Sequence, residues 1–175
     1  MSSVYLKAEK RYFCKKSKRL FYFATMYTRQ EASVIRKKFW TSFGQYMKPI
    51  VSASGEKVNW LNYKTGVKYL YFRMDVDNKK ASVAIELRHP DTSEQQQYFE
   101  QLQELKNILE QSTREVWQWQ LQYSDEDGNM VSRVFTSLNT INVYNPADWP
   151  VLISFLKPRI IALDQFWDLV KDGFE

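Results

Sequence analysis

The residues best suited to chemistry are Asp75 and the run Glu86-Leu87-Arg88. A carboxylate, then a second one two residues before a basic side chain, is how metal-dependent nucleases are built. The acids share Mg²⁺ while the base stands beside the attacking water. In a strand Glu86 and Arg88 project to the same side. Asp75, Glu86 and Arg88 are therefore the catalytic candidates, with Asp75 and Glu86 as the metal ligands and Glu31 available as a third acid. Mg²⁺ is implied under this reading alone; no other cofactor is expected.

Two physical objections stand against it. An arginine keeps its proton at working pH, so Arg88 can orient a water or a phosphate but cannot act as a lysine base. The second objection is register. A hairpin centred on Asn78-Lys79 sets Phe72 against Ile85, Met74 against Val83 and Glu86 against Tyr71, four residues from Asp75. At about 3.3 Å per residue that is roughly 13 Å, too far for one ion. A two-residue shift keeps the apolar faces matched and halves the gap. In the plain structural alternative, Glu86 forms an exposed ion pair with Arg73 across the hairpin.

Other chemistry finds less to work with. His89, before Pro90, has no identifiable partner and reads as a solvated residue at a strand end. With Cys14 as the one cysteine, neither a disulfide nor a cysteine-histidine zinc site can be assembled. Gly44, Gly55, Gly66, Gly128 and Gly173 are scattered and form no phosphate-binding loop. Trp60, Trp117, Trp119, Trp149 and Trp167 either line a groove or, at strand and helix spacing, fill a core; the core is the simpler reading.

Length and charge narrow the classes. A chain of 175 residues, 44% hydrophobic, suits one core. The longest apolar runs, at 20–24 and 151–156, fall far short of the roughly 18 residues that span a bilayer. No secretory cleavage pattern follows the basic start, so a cytoplasmic protein with no membrane partner is expected. The formal charge of +5 lies entirely in the first 25 residues, where seven basic side chains face one acid. The remaining 150 residues hold 18 basic and 19 acidic side chains, net −1, which gives no electrostatic case for nucleic acid. Residues 1–25 are read as a basic-aromatic segment outside the fold, either a binding arm or sequence upstream of a true start at Met26. Residues 26–175 are read as the single globular domain.

The elements that must position the candidates follow from pattern. Thr28-Arg-Gln-Glu31 is a capping box, and Ala32, Ile35, Phe39, Phe43 and Tyr46 or Met47 draw one helical stripe up to Pro49. Arg36, Lys37 and Lys38 read as its solvated edge. Strands are predicted at 57–64, 67–77 and 81–88. A helix capped by Asp91, Thr92 or Ser93 then carries Tyr98, Leu102, Leu105 and Leu109. Trp117, Trp119, Leu121 and Tyr123 alternate with glutamines in a strand that turns at Asp127-Gly128-Asn129 and pairs with 130–138, with 140–144 as an extension. Asn145-Pro146 opens a last apolar helix that Pro158 should kink or split. The predicted fold is α+β, of order αβββαββα, with five or so mostly antiparallel strands covered on one face by helices in two layers.

Residues 26–175 resemble the bacterial family called domain of unknown function 4268. The resemblance rests on IRKKFWTSF, VNWLNYKTGVKYLYFRMDV, ASVAIELRHPDTSEQQQYFEQLQELKNILEQ, VWQWQL and the closing helix with Trp149. Every piece is a core pattern, so no activity or site is carried over. In longer proteins a similar domain sits behind other modules, some nuclease-like, which implies an accessory or interaction role with a protein partner. The alternative is a divergent or degenerate metal-dependent nuclease of the restriction-endonuclease-like type, whose fold shares the order helix, three strands, helix, strand.

Overall fold

The capping box at Thr28 forms as its residues require. Thr28 Oγ1 accepts the Glu31 amide at 3.2 Å, and the Glu31 carboxylate accepts the Thr28 amide at 2.9 Å. Helix α1, Arg29–Met47, buries Phe39, Phe43 and Met47 along the expected stripe. The computed structural model describes residues 27–125 and 127–174; the basic-aromatic segment 1–25, Cys14 and Met26 lie outside the described residues.

Four strands form one antiparallel sheet: β1, Leu70–Val76; β2, Lys80–Leu87; β3, Gln118–Ser124; and β4, Met130–Asn139. Their spatial order is β1-β2-β4-β3. Leu70, Phe72 and Val76 of β1 join Ala81, Val83, Ile85 and Leu87 of β2 and Val134 of β4 in one apolar cluster with the helices. Those helices are α1; α2, Thr92–Glu104; α3, Lys106–Thr113; and α4, Trp149–Val170. Helix α4 supplies Leu152, Leu156, Leu163 and Phe166, all fully buried. Each such side chain contributes roughly 1.5–3 kcal/mol by leaving water. The fold is thus the two-layer α+β arrangement that the pattern implies, with the sheet's inner face under the helices.

Four details depart from expectation. No strand forms at 57–64, where the chain makes a 3-10 turn, Trp60–Asn62. The Asn59 side chain accepts the Leu61 and Asn62 amides at 3.1 and 3.2 Å, which gives the backbone a local partner in place of a ladder. The predicted helix after Asp91 is broken at Leu105, whose ψ of 6° leaves the helical range and separates α2 from α3. Pro158 does not split α4, which runs through it. The Arg159 guanidinium donates to the Phe155 carbonyl at 2.7 Å, beside the turn that lacks an amide. Residues 140–144 do not extend β4, which ends at Asn139.

Candidate functional site

The β1–β2 hairpin adopts the register read from its apolar faces. Phe72 pairs with Ile85, Met74 with Val83, and Tyr71 with Glu86, so the register shifted by two is not used. Since side chains alternate across a strand, Tyr71, Arg73 and Asp75 share the outer face with Ser82, Ala84 and Glu86. Pairing of β2 with β4 brings Arg133 opposite Glu86 and Phe135 opposite Ala84. Among the described residues the apolar cluster under the helices draws on the opposite side chains of these strands.

A β-bulge completes the face. Between Gln120 and Tyr123 the β3–β4 register shifts by one residue, with Gln122 in the left-handed region at φ 45°. The extra residue turns Tyr123 onto the outer side, opposite Val131, and leaves Leu121 42% exposed. The expectation that Trp117, Trp119, Leu121 and Tyr123 share one aromatic face therefore holds only as far as the bulge.

Glu86 is half-buried, its side chain 12% exposed. It accepts Arg88 Nε at 2.8 Å, and Arg88 Nη1 reaches Asp125 at 3.1 Å, so one guanidinium ties two carboxylates. Arg73, the expected partner, stands farther off at 3.9 Å. Burial opposes the charge on Arg88, yet the bonds and fields of Glu86 and Asp125 together raise its pKa above the ordinary arginine value. The Asn129 amide is the chief cause holding the Asp125 carboxyl below its usual range; the Asn129 side chain, Arg88 and the Asp127 amide add to it. Burial pushes the Tyr123 phenol up, so its hydroxyl stays protonated.

Asp75 lies on the same face but is bound elsewhere, paired with Arg36 of α1. The Asp75 and Glu86 pairing partners, Ser82 and Tyr71, place the two acids four positions apart along the sheet. Glu31 is engaged in its own cap, where the Thr28 amide lowers its pKa. Among the described residues no group of three or more His, Cys, Asp or Glu is placed to hold a metal ion. Asp75, Glu86 and Arg88 do line one open polar depression of about 420 Å³, together with Asp125, Tyr123 and Arg133.

The remaining candidates serve the framework. His89 Nδ1 accepts the Asp91 amide at 3.1 Å, and its ring meets Tyr69 edge-on at 4.6 Å. Trp60, Trp117 and Trp167 are buried in the core. Trp60, Trp149 and Trp167 donate their indole N–H to the carbonyls of Ile50, Val143 and Thr65.

Two polar groupings escape sequence reasoning. Asp125 and Arg133 join the outer face only through the β2–β4 pairing and the hairpin turn, neither of which leaves a periodic trace. Asp164, 2% exposed on α4, accepts the Tyr63 hydroxyl and the Ala53 amide, each at 2.6 Å. Its one signal is an acid in the apolar stripe of Ile160, Leu163 and Trp167. Burial first, and then Asp164, raises the Tyr63 phenol far above its ordinary value of 10.

Fold and face together define a two-layer α+β domain with an open, arginine-rich sheet face. The chain belongs to the family described as domain of unknown function (DUF4268), whose model matches residues 35–171. No curated protein and no solved structure matches it. No helix among the described residues is long and apolar enough to cross a membrane.

Proposed function

We propose that the chain is a non-catalytic interaction or accessory module of the bacterial cytoplasm, acting on a protein partner through the outer face of its sheet. One observation carries this reading: the carboxylates a nuclease would need are already bound to arginines. Glu86 and Asp125 share Arg88, and Asp75 takes Arg36. A metal ion would have to displace these guanidinium groups, and the four-position separation of Asp75 from Glu86 gives it no shared site. The raised pKa of Arg88 also removes it as a base. Arginine and tyrosine on an open face are the side chains that most often anchor protein interfaces.

A divergent metal-dependent nuclease is the second reading, favoured by the common depression that Asp75, Glu86 and Arg88 line. The experiment is incubation of purified protein with supercoiled and single-stranded DNA in Mg²⁺ or Mn²⁺. The accessory reading expects no cleavage beyond that of Glu86→Gln. Metal-dependent cleavage lost in that variant would replace it with the nuclease.

A further inference from the structure

We infer that Arg133 is a receptor for a carboxylate of a protein partner, an acidic side chain or a chain terminus. The inference rests on the reading of the outer face as an interaction surface and names its chemistry. Arg133 stands directly opposite Glu86, yet the two do not pair. Glu86 turns to Arg88, while the Arg133 guanidinium lies over two rings, 4.3 Å from the Tyr123 centroid and 4.0 Å from that of Phe135. Its Nε donates to Gln120 Oε1 at 3.0 Å. Two rings and one amide thus fix the plane of the group. Among the described residues Nη1 and Nη2 have no acceptor, and the side chain lines the polar depression.

A guanidinium held flat, with part of its donor set unused, matches a two-oxygen anion better than a point charge does. Little conformational freedom remains to be lost on binding. Three of the surrounding acids are already tied to other arginines, Glu86 and Asp125 to Arg88 and Asp75 to Arg36. Counting Arg133 itself, the depression's five carboxylates are matched by its three cations together with Arg36 and Arg73. Asp77, not paired with an arginine, accepts the Lys79 and Lys80 amides at 2.6 and 2.7 Å. Local neutrality also separates a single carboxylate from a polyphosphate. Nucleic acid needs a field of unpaired cations, and none is gathered in this depression among the described residues.

The test follows the Arg133 Nε–Hε resonance by NMR during titration of the full chain with a hexaglutamate peptide, and separately with a single-stranded oligonucleotide, in the absence of metal. Saturable shifts with the peptide are expected, weakened about tenfold or more in both Arg133→Lys and Arg133→Gln, as loss of a two-pronged contact implies. The substituted chains, which lack that resonance, are followed through the backbone amides of Tyr123 and Phe135. Lys106→Gln, on α3, should bind as the unaltered chain does. Unchanged affinity in Arg133→Lys and Arg133→Gln would overturn the inference. So would the absence of saturation at about 10 mM peptide, a weaker affinity than any specific contact requires. Saturation by the oligonucleotide alone would overturn it in favour of phosphate. Near-UV circular dichroism checks that each variant is folded; if Arg133→Gln is not, Arg133→Lys decides alone. Cleavage assays turn on Glu86 and a metal, and this titration on Arg133 without one, so either reading can fail by itself.

Discussion

Two carboxylates in this protein are held in opposite ways. Asp164 is buried in the core layer and bound by neutral donors, a phenol and a backbone amide. Glu86 lies on the outer face, 12% exposed, bound by an arginine that it shares with Asp125. Asp164 ties the loop holding Ala53 and Tyr63 onto α4, which makes it a fastening of the fold. Glu86 is tied through Arg88, two residues along, to Asp125 in the β3–β4 turn, so its network shapes a surface. A group whose partners cannot be replaced by water should control stability; one whose partners can should control recognition.

The largest expected effect is at the buried site. Tyr63→Phe removes a donor from a carboxylate that water does not reach, and should cost about 2–3 kcal/mol, a fall of roughly 5–10 °C in Tm. A fall under about 2 °C in a thermal melt would show that Asp164 is not a fastening. The pH dependence has a definite sign. Because the folded Tyr63 phenol titrates above its ordinary value of 10, its contribution is fully present below pH 10. The contribution is lost as pH rises from there through the folded value, since the unfolded chain then releases a proton that the folded chain keeps. Chemical denaturation across the alkaline range should show a shallower decline in Tyr63→Phe than in the parent chain.

Asn59→Ala comes next. It removes the side-chain oxygen that caps the 3-10 turn and should cost about 1 kcal/mol, read from the denaturant midpoint. Glu86→Ala should cost less, under about 1 kcal/mol, because Arg88 keeps Asp125 and remains in contact with water. A larger loss would make the outer network a second fastening and dissolve the contrast. Deleting residues 1–25 should matter least, since the capping and periodicity signals of the domain all begin after them. We expect a Tm change under about 5 °C, or roughly 1 kcal/mol.

What could be read beforehand follows the same division. The β1–β2 hairpin was legible because two period-2 patterns must meet apolar face to apolar face, and a one-residue slip would bury Glu86 in place of Ile85. That register sets Glu86 beside Tyr71 and away from Asp75, although matched faces alone also allow a two-residue shift. The turn at Trp60 was hidden because an asparagine side chain satisfied the backbone, an option that hydrophobic spacing does not record. Tyr123 was assigned to the wrong face because a bulge adds one residue without changing the alternation on either side of it. Arg133 was missed as a site residue because its meaning lies in what it leaves unpaired. Opposite charges set directly across a sheet ordinarily attract, but here Arg88 takes Glu86 while Tyr123, Phe135 and Gln120 hold Arg133.

The most direct test of the account is a thermal melt of the full chain and of Glu86→Ala with Mg²⁺ raised to about 10 mM, where a ligand bound at its own site would stabilise the fold by mass action. With Glu86, Asp125 and Asp75 held by arginines, both proteins should melt as they do in NaCl of equal ionic strength. A Mg²⁺-specific rise in Tm that disappears in Glu86→Ala would contradict the account and assign the outer face to metal chemistry.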